Sequence, residues 1–432
     1  MGYGLPEPYD TFAPATAVAQ AAWTRRPWQP KHGRSAAIVA DPPCRRVLVV
    51  APQPFYQDRG TPIALHQVLL ALSELGRGVD LLTYPIGADV AIPGLRIFRS
   101  ANPLRFESVP VGFSWRKVVL DLSLTPRIKA RLAGERYACV HAVEEAAFPA
   151  AILARQCGIP LLYDMQSSLA EQLGQLGPLS LSPTRRMLDA AERWLLSQAD
   201  LVVTSAGLSP RVRDMVPDAR VREWHFPSAP AGADPQEVAR LRQTLGLGPR
   251  SQVVLYSGTF EPYQGLPELI AAIPLVRQRL PEATFVFVGA EGADGALATA
   301  AAHVASGALR VVDRQPRDVM PAYLAMADVL VSPRAYGGNL PLKIFDYLAA
   351  SRPIVATDIP THRTVLSEER AVLVAPRTEA LAAGILAVLG DPGHAGRLAA
   401  AARQYATTHL GWGRFVKAVS ELYDDVERHA VA

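Results

Sequence analysis

Lys343 is one of only five lysines in a chain that otherwise takes its positive charge from arginine. It follows Gly337, Gly338 and Asn339, a loop-forming run, and Pro341, which is suited to start a helix. An ammonium in that first turn can join the helix dipole in holding a phosphate. Asp346 lies three residues on, on the same helical face, where its carboxylate can accept hydrogen bonds from a ribose diol. The plainer alternative is a surface ion pair between Lys343 and Asp346. A second stretch, "DRGTP", has the same form: Gly60 permits close backbone approach, Thr61 can cap and Pro62 fits a first helical turn. It suits a phosphate, or equally an ordinary capped helix.

Both stretches follow strands. "RRVLVVAP" is a buried-strand run, "IALHQVLLALSELGRG" repeats its apolar residues at helical spacing, and "VDLLTYPIG" is a strand again. Strand, helix and strand make a βαβ unit of a parallel sheet. The alternation continues through "YACVHAVEEAAFPAAILARQCGIPLLYDM" and "LLSQADLVVTSAG", and restarts after a Pro- and Gly-rich stretch with "VVLYSGTF", "ATFVFVGAEG", "LRVVDR", "ADVLVSP", "PIVATD" and "AVLVAP". The expected fold is α/β, two Rossmann-like doubly wound parallel-sheet domains with a cleft between them. Residues 1–44 read as an extended arm and 45–226 as the first domain. A linker at 227–250 leads to a second domain at 251–408, and a helix at 409–432 is expected to pack back across the junction.

Length agrees, since 432 residues exceed one ordinary core and suggest two domains of roughly 180 residues each. Hydrophobic residues at 49% and charged residues at 19% describe a soluble globular protein. The net charge of +4, from 44 Lys and Arg against 40 Asp and Glu, is interspersed, so nucleic acid is not an expected partner. Basic residues do thicken in "AWTRRPWQPKHGR" and from Phe113 to Arg131, segments that suit a solvated arm and an amphipathic helix, or a surface touching anionic lipid. Cys44, Cys139 and Cys157 show no pairing pattern and no His cluster, so neither a disulfide framework nor a metal site is expected. With no signal-peptide core and no apolar run of about 20 residues, a cytoplasmic location is expected, with any membrane contact peripheral and at its inner face.

The Gly60 loop with "ALHQVLLALSELGRGVDLLT", then "YSGTFEPYQGLPELIAAI", "FVFVGAEG", "PAYLAMADVLVSP" and "NLPLKIFDYLAASRPIVATD" together resemble, in order and spacing, the retaining glycosyltransferases of the GT-B fold, family 4. The resemblance covers about residues 46 to 427. It implies a nucleotide diphosphate sugar as substrate, UDP or GDP linked, bound by the second domain, with no cofactor and no metal. An acceptor, a glycan or lipid-linked hydroxyl, would enter from the first domain, as in envelope polysaccharide or glycolipid assembly. Asp346 matches the family's ribose-binding acid, and Leu340, Pro341, Leu342 and Lys343 the segment holding the phosphates, next to Asn339. Gly60 matches the glycine lying against the diphosphate.

Three places depart from the family. Its first motif acid falls at Gly338. Its diphosphate-neutralising Arg and Lys, in the loop that starts at Gly258, fall at Thr259 and Gln264, for which Arg334 and Arg59 are the candidate substitutes. Its second histidine in "VHAVEEAAF" falls at Val143, leaving His141, Glu144 and Glu145. Either glutamate can orient or deprotonate an acceptor hydroxyl, or simply complement a helix start. Lys343 would stabilise the leaving group. Asp164 and Gln166, after the next strand, are further acceptor-side candidates, and Arg314 a donor-side one near the base. Three other readings stay open: an epimerase on the same fold, a non-catalytic sugar- or partner-binding protein, and a nicotinamide oxidoreductase, which would lack its GxGxxG.

Overall fold

The computed structural model describes residues 46–58, 60–110, 114–168, 182–228, 232–289 and 299–428, so Arg59, Cys44 and the expected arm at 1–44 lie outside the described residues. Two parallel sheets make up the molecule. The first contains β1 (Val47–Ala51), β2 (Val79–Thr83), β3 (Leu95–Arg99), β4 (Cys139–Val143), β5 (Leu161–Met165), β6 (Leu201–Thr204) and β7 (Val221–Glu223), in the order β3-β2-β1-β4-β5-β6-β7. The second contains β8 (Gln252–Ser257), β9 (Ala283–Val288), β10 (Leu309–Val312), β11 (Val329–Ser332), β12 (Ile354–Thr357) and β13 (Val372–Val374), in the order β10-β9-β8-β11-β12-β13.

Strand burial explains the arrangement. Every residue of β1, β2, β4 and β5 is buried, because helices cover both faces of a parallel sheet and leave no wet side for polar alternation. The helix Gly60–Glu74 lays Leu65, Val68, Leu69 and Leu72 against the sheet, a spacing that puts them on one stripe. It opens at Gly60 itself, so Thr61 stands inside its first turn rather than at its cap.

Strand order reverses between β1 and β4 in one sheet and between β8 and β11 in the other. Loops leaving neighbouring strands at such a point run apart and open a crevice. The residues just past those strand ends, among them Gln53, Glu144, Gly258 and Arg334, therefore come to the cleft.

The helix Trp412–Arg428 returns from the second half to the first. It buries Phe415, Val419, Leu422, Tyr423 and Val426, and it is tied by charge as well. Arg77 reaches Asp424 at 2.6 Å and also bonds Glu427, while Asp425 accepts from Arg220 at 2.6 Å and Arg222 at 3.0 Å. Phe415 packs on Trp224 and Phe226, and Phe226 meets Phe345 of the second half, an aromatic seam across the junction.

The helix Trp115–Gly134 is capped by Ser114, whose Oγ accepts from the Lys117 amide. Leu120, Leu124, Ile128 and Leu132 are buried, and Trp115, Val118 and Leu122 form an exposed stripe on the other side. Among the described residues, no helix is long and apolar enough to cross a membrane.

Candidate active site

A cavity of about 600 Å³ lies between the carboxyl ends of the two sheets. Of the residues singled out above, Gly60, Thr61, Glu144, Glu145 and Gln166 line it from the first half. Gly258, Thr259, Gln264, Arg314, Arg334, Asn339, Leu340, Pro341, Leu342, Lys343 and Asp346 line it from the second.

Two cations in the second wall, Arg334 and Lys343, pair with no carboxylate among the described residues. Arg334 is only 5% exposed, donates from Nε to the Tyr336 carbonyl at 2.9 Å and from Nη2 to Asn339 Oδ1 at 2.7 Å, and lies over the Tyr263 ring. Lys343 is part-buried, donates to Gln264 Oε1 at 3.1 Å and sits 4.0 Å from the centre of the Tyr256 ring. Loss of water around the ammonium, and then the charge of Arg334, hold the Lys343 pKa well below the usual lysine range. Burial lowers that of Arg334 as well. Two neighbouring buried cations repel each other, and an anion lying against both would relieve that cost.

Glycines make this placement possible. Gly337 has φ +126°, and a Cβ there would come within 2.2 Å of Arg334 Nη2; Gly258 has φ +142°, with Lys343 Nζ 3.0 Å from where its Cβ would be. Beneath Arg334, burial holds His362 near 4, hence neutral: Nδ1–H donates to the Thr357 carbonyl at 2.7 Å and Nε2 accepts from Ser332. Thr357 Oγ1 in turn donates to the Arg334 carbonyl.

The helix after this loop spans Lys343–Ala349 and so begins later than Pro341 suggests. The amides of Ile344 and Phe345 bond the carbonyls of Pro341 and Leu342, a tightened i to i+3 entry. The surface pair of Lys343 with Asp346 does not form. Lys343 turns to Gln264, and Asp346 accepts from Arg317 at 3.4 Å on the cavity wall. Thr259 is joined to the same group, since its Oγ1 accepts from Gln264 Nε2 at 3.4 Å.

Acids line the first wall. Glu144 adopts φ +50°, uncommon for a residue with a side chain, and both its carboxylate oxygens lie 2.9 Å from Ser167 Oγ. Burial, then the neighbouring Glu145, push its pKa well above the usual carboxylate range. Glu145 pairs with Lys117 at 3.3 Å. Behind them Asp121 accepts from Tyr84, and burial with Glu145 raises it to about 7. Lys117, Asp121, Tyr84 and Ser167 were not legible as site residues, because their roles arise from contacts between distant parts of the chain.

His141 and Asp164 do not line the cavity, contrary to expectation. Both belong to buried strands, and both serve the packing under its floor. His141 Nδ1 lies 2.6 Å from the Tyr423 hydroxyl on the returning helix, and Asp164 accepts from Trp224 Nε1 at 3.1 Å and from Gln166 Nε2 at 3.0 Å. Asp164 thus fixes Gln166, which does reach the cavity. Among the described residues, no group of three or more His, Cys, Asp or Glu side chains could hold a metal ion.

A sequence model of the family described as "Glycosyl transferase 4-like domain" matches residues 59–211, and one described as "Glycosyl transferases group 1" matches 251–391. The chain is 27% identical over 369 residues to a glycogen synthase of Mycobacterium tuberculosis, covering 83% of this chain and 86% of that protein. It is 31% identical over 188 residues to a GDP-mannose-dependent alpha-(1-6)-phosphatidylinositol monomannoside mannosyltransferase of Mycolicibacterium smegmatis, covering 41% of this chain and 49% of that one. Among solved structures, sucrose-phosphate synthase of Thermosynechococcus elongatus superposes with a TM-score of 0.72 at 23% identity, covering 90% of this chain and all of that one. With two parallel sheets facing one cleft, and a family match in each half, the chain belongs to the GT-B glycosyltransferases.

Proposed function

We propose that the protein moves a sugar from a UDP- or GDP-linked donor to a hydroxyl of a glycan or lipid-linked acceptor, with retention at the anomeric carbon and without a metal. The observation that carries this reading is the pair Arg334 and Lys343, two cations in one cavity wall with no carboxylate partner among the described residues. A diphosphate is the anion that fits two neighbouring positive groups, and its charge grows as the glycosidic bond breaks. Asp346, on the same wall, would take the ribose hydroxyls, and Gly60 would let the first helix start approach the diphosphate.

In the reaction, the bond from the anomeric carbon to the β-phosphate oxygen breaks and its electron pair stays with the diphosphate. The acceptor oxygen forms the new bond on the same face, and its proton passes to the departing phosphate oxygen. Lys343 and Arg334 stabilise the charge, while Glu144 and Glu145 orient the acceptor hydroxyl. Peripheral contact with an anionic membrane at its cytoplasmic side, in envelope polysaccharide or glycolipid assembly, is supported by the stripe Trp115, Val118 and Leu122, continued by Lys129. The kinship with a phosphatidylinositol monomannoside mannosyltransferase points the same way.

Thermal unfolding against UDP, GDP, ADP and dTDP and their sugars, in chelator, tests the donor. A ligand at 100 times its dissociation constant adds about 2.7 kcal/mol to the folded state. One nucleotide should raise the midpoint, and its sugar should then label an acceptor whose anomeric coupling reports retention. If no nucleotide stabilises the protein, the donor reading fails and a non-catalytic binding role replaces it.

A further inference from the structure

Asp346 does not stand alone on the cavity wall. Arg317 lies in the loop between β10 and the helix Met320–Met326, where its carbonyl accepts from the Met320 amide at 3.3 Å and the Pro316 carbonyl accepts from the Val319 amide at 3.3 Å. From this fixed turn its Nη2 donates to Asp346 Oδ1 at 3.4 Å. Both residues line the cavity, with side chains 27% and 19% exposed, so the pair is partly withdrawn from water rather than a fully solvated surface contact. Lys343, which shares a helical turn with Asp346, turns instead to Gln264. The first half faces Arg317 with Tyr56, Asp58 and His66. The Tyr56 hydroxyl donates to Asp58 at 2.7 Å, and burial, then the charge of Arg317, bring His66 down to about 4. His66 is therefore neutral and brings no second positive charge to Asp346.

A carboxylate has two oxygens and about four lone-pair sites, so it can hold an arginine N–H and still accept from a diol. What the arginine adds is direction. An aspartate side chain turns about two bonds, and a diol is read only where the oxygens point at it.

We propose, on the basis of the donor reading above, that Arg317 is the positioning residue for Asp346, and that the oriented pair makes the site selective for ribonucleoside over 2′-deoxyribonucleoside diphosphates. A 2′-deoxy ligand covers the oriented carboxylate while leaving it short of a donor, and a shielded charged acceptor without its partner is costly. Sugars of dTDP, built on deoxyribose, fall outside the donor class for this reason.

Calorimetry on the full chain, comparing UDP with 2′-deoxy-UDP and GDP with 2′-deoxy-GDP, is the test. In the parent protein the ribonucleotide that binds should do so at least about tenfold more tightly than its deoxy counterpart. Arg317→Gln should bring that ratio to within about threefold, mainly by weakening the ribonucleotide, and Arg317→Lys should keep part of it. Asp346→Asn should collapse the ratio too, and adding Arg317→Gln to it should change the ratio no further, the signature of one residue acting through the other. A residue that merely supports the fold would weaken both nucleotides alike and leave the ratio standing, and that result overturns the proposal. So does equal binding of ribo and deoxy forms by the parent, which leaves the donor reading in place; absence of binding by every nucleotide removes both.

Discussion

Lys343 Nζ donates to Gln264 Oε1 at 3.1 Å, so the ammonium reaches the loop after β8 from a neighbouring helix start on the same wall of the cavity. By resemblance, Gln264 occupies a position where relatives carry a lysine. An ammonium therefore stands against that position.

Lys343→Ala should therefore weaken nucleoside diphosphate binding at least tenfold, about 1.4 kcal/mol, with the fold intact. Calorimetry reads this directly. Moving the charge by combining Lys343→Met with Gln264→Lys should recover part of the loss, and no recovery would show that the position of the ammonium matters as much as its presence.

Binding should also carry a proton. Burial, then the charge of Arg334, hold the Lys343 pKa well below the ordinary 10.5, and a diphosphate beside it would raise that value. At alkaline pH below 10.5, calorimetry in buffers of different ionisation heat should show proton uptake on binding. Lys343→Ala should abolish the uptake.

For Arg334→Ala, loss of nucleoside diphosphate affinity should exceed loss of monophosphate affinity. Equal losses would place the guanidinium near the nucleoside rather than the diphosphate.

Gly337→Ala should lower stability by about 1–3 kcal/mol and weaken nucleotide binding, because the new Cβ meets Arg334 Nη2 and the φ of +126° strains any side chain. Gly396→Ala, in the helix Pro392–His409 with open space around it, should instead raise stability by about 0.5–1 kcal/mol. Melting curves of the two variants separate steric cost at the site from helix propensity.

Glu144 gives a pH signature of opposite sign to an ordinary paired carboxylate. Its folded pKa lies above the ordinary 4.5, so between 4.5 and that raised value the folded state holds a proton that the unfolded chain has lost. Stability falls as pH rises through this window. Glu144→Gln should melt like the parent near pH 4 and above it at neutral pH, and its transfer rate should drop with the donor KM unchanged.

The sheets were legible because buried parallel strands are continuous apolar runs, as in β1 and β5. β3 and β7 escaped notice: as edge strands they carry Arg96, Arg99 and Arg222 and are only half-buried, so no apolar run marks them. At the site, Gly337, Lys343 and Asp346 could be picked out from composition and spacing, since a glycine loop and a scarce lysine are local signals. Ser167 and Lys117 could not, because a carboxylate across a strand junction exists only after the chain has folded. His141 and Asp164 misled for the complementary reason: polar residues on buried strands look like chemistry when they are packing partners of Tyr423 and Trp224.

The return of the helix Trp412–Arg428 to the first half sets an order on assembly. During synthesis the first sheet leaves the ribosome hundreds of residues before Tyr423 can close over His141 or Asp425 can receive Arg220 and Arg222. For most of that time the buried His141 has Asp164 but not the Tyr423 hydroxyl, and Arg220 and Arg222 wait for Asp425. The half that emerges first is thus the last to be finished, and a nascent chain stopped before Trp412 would carry its second sheet beside an unsealed first one.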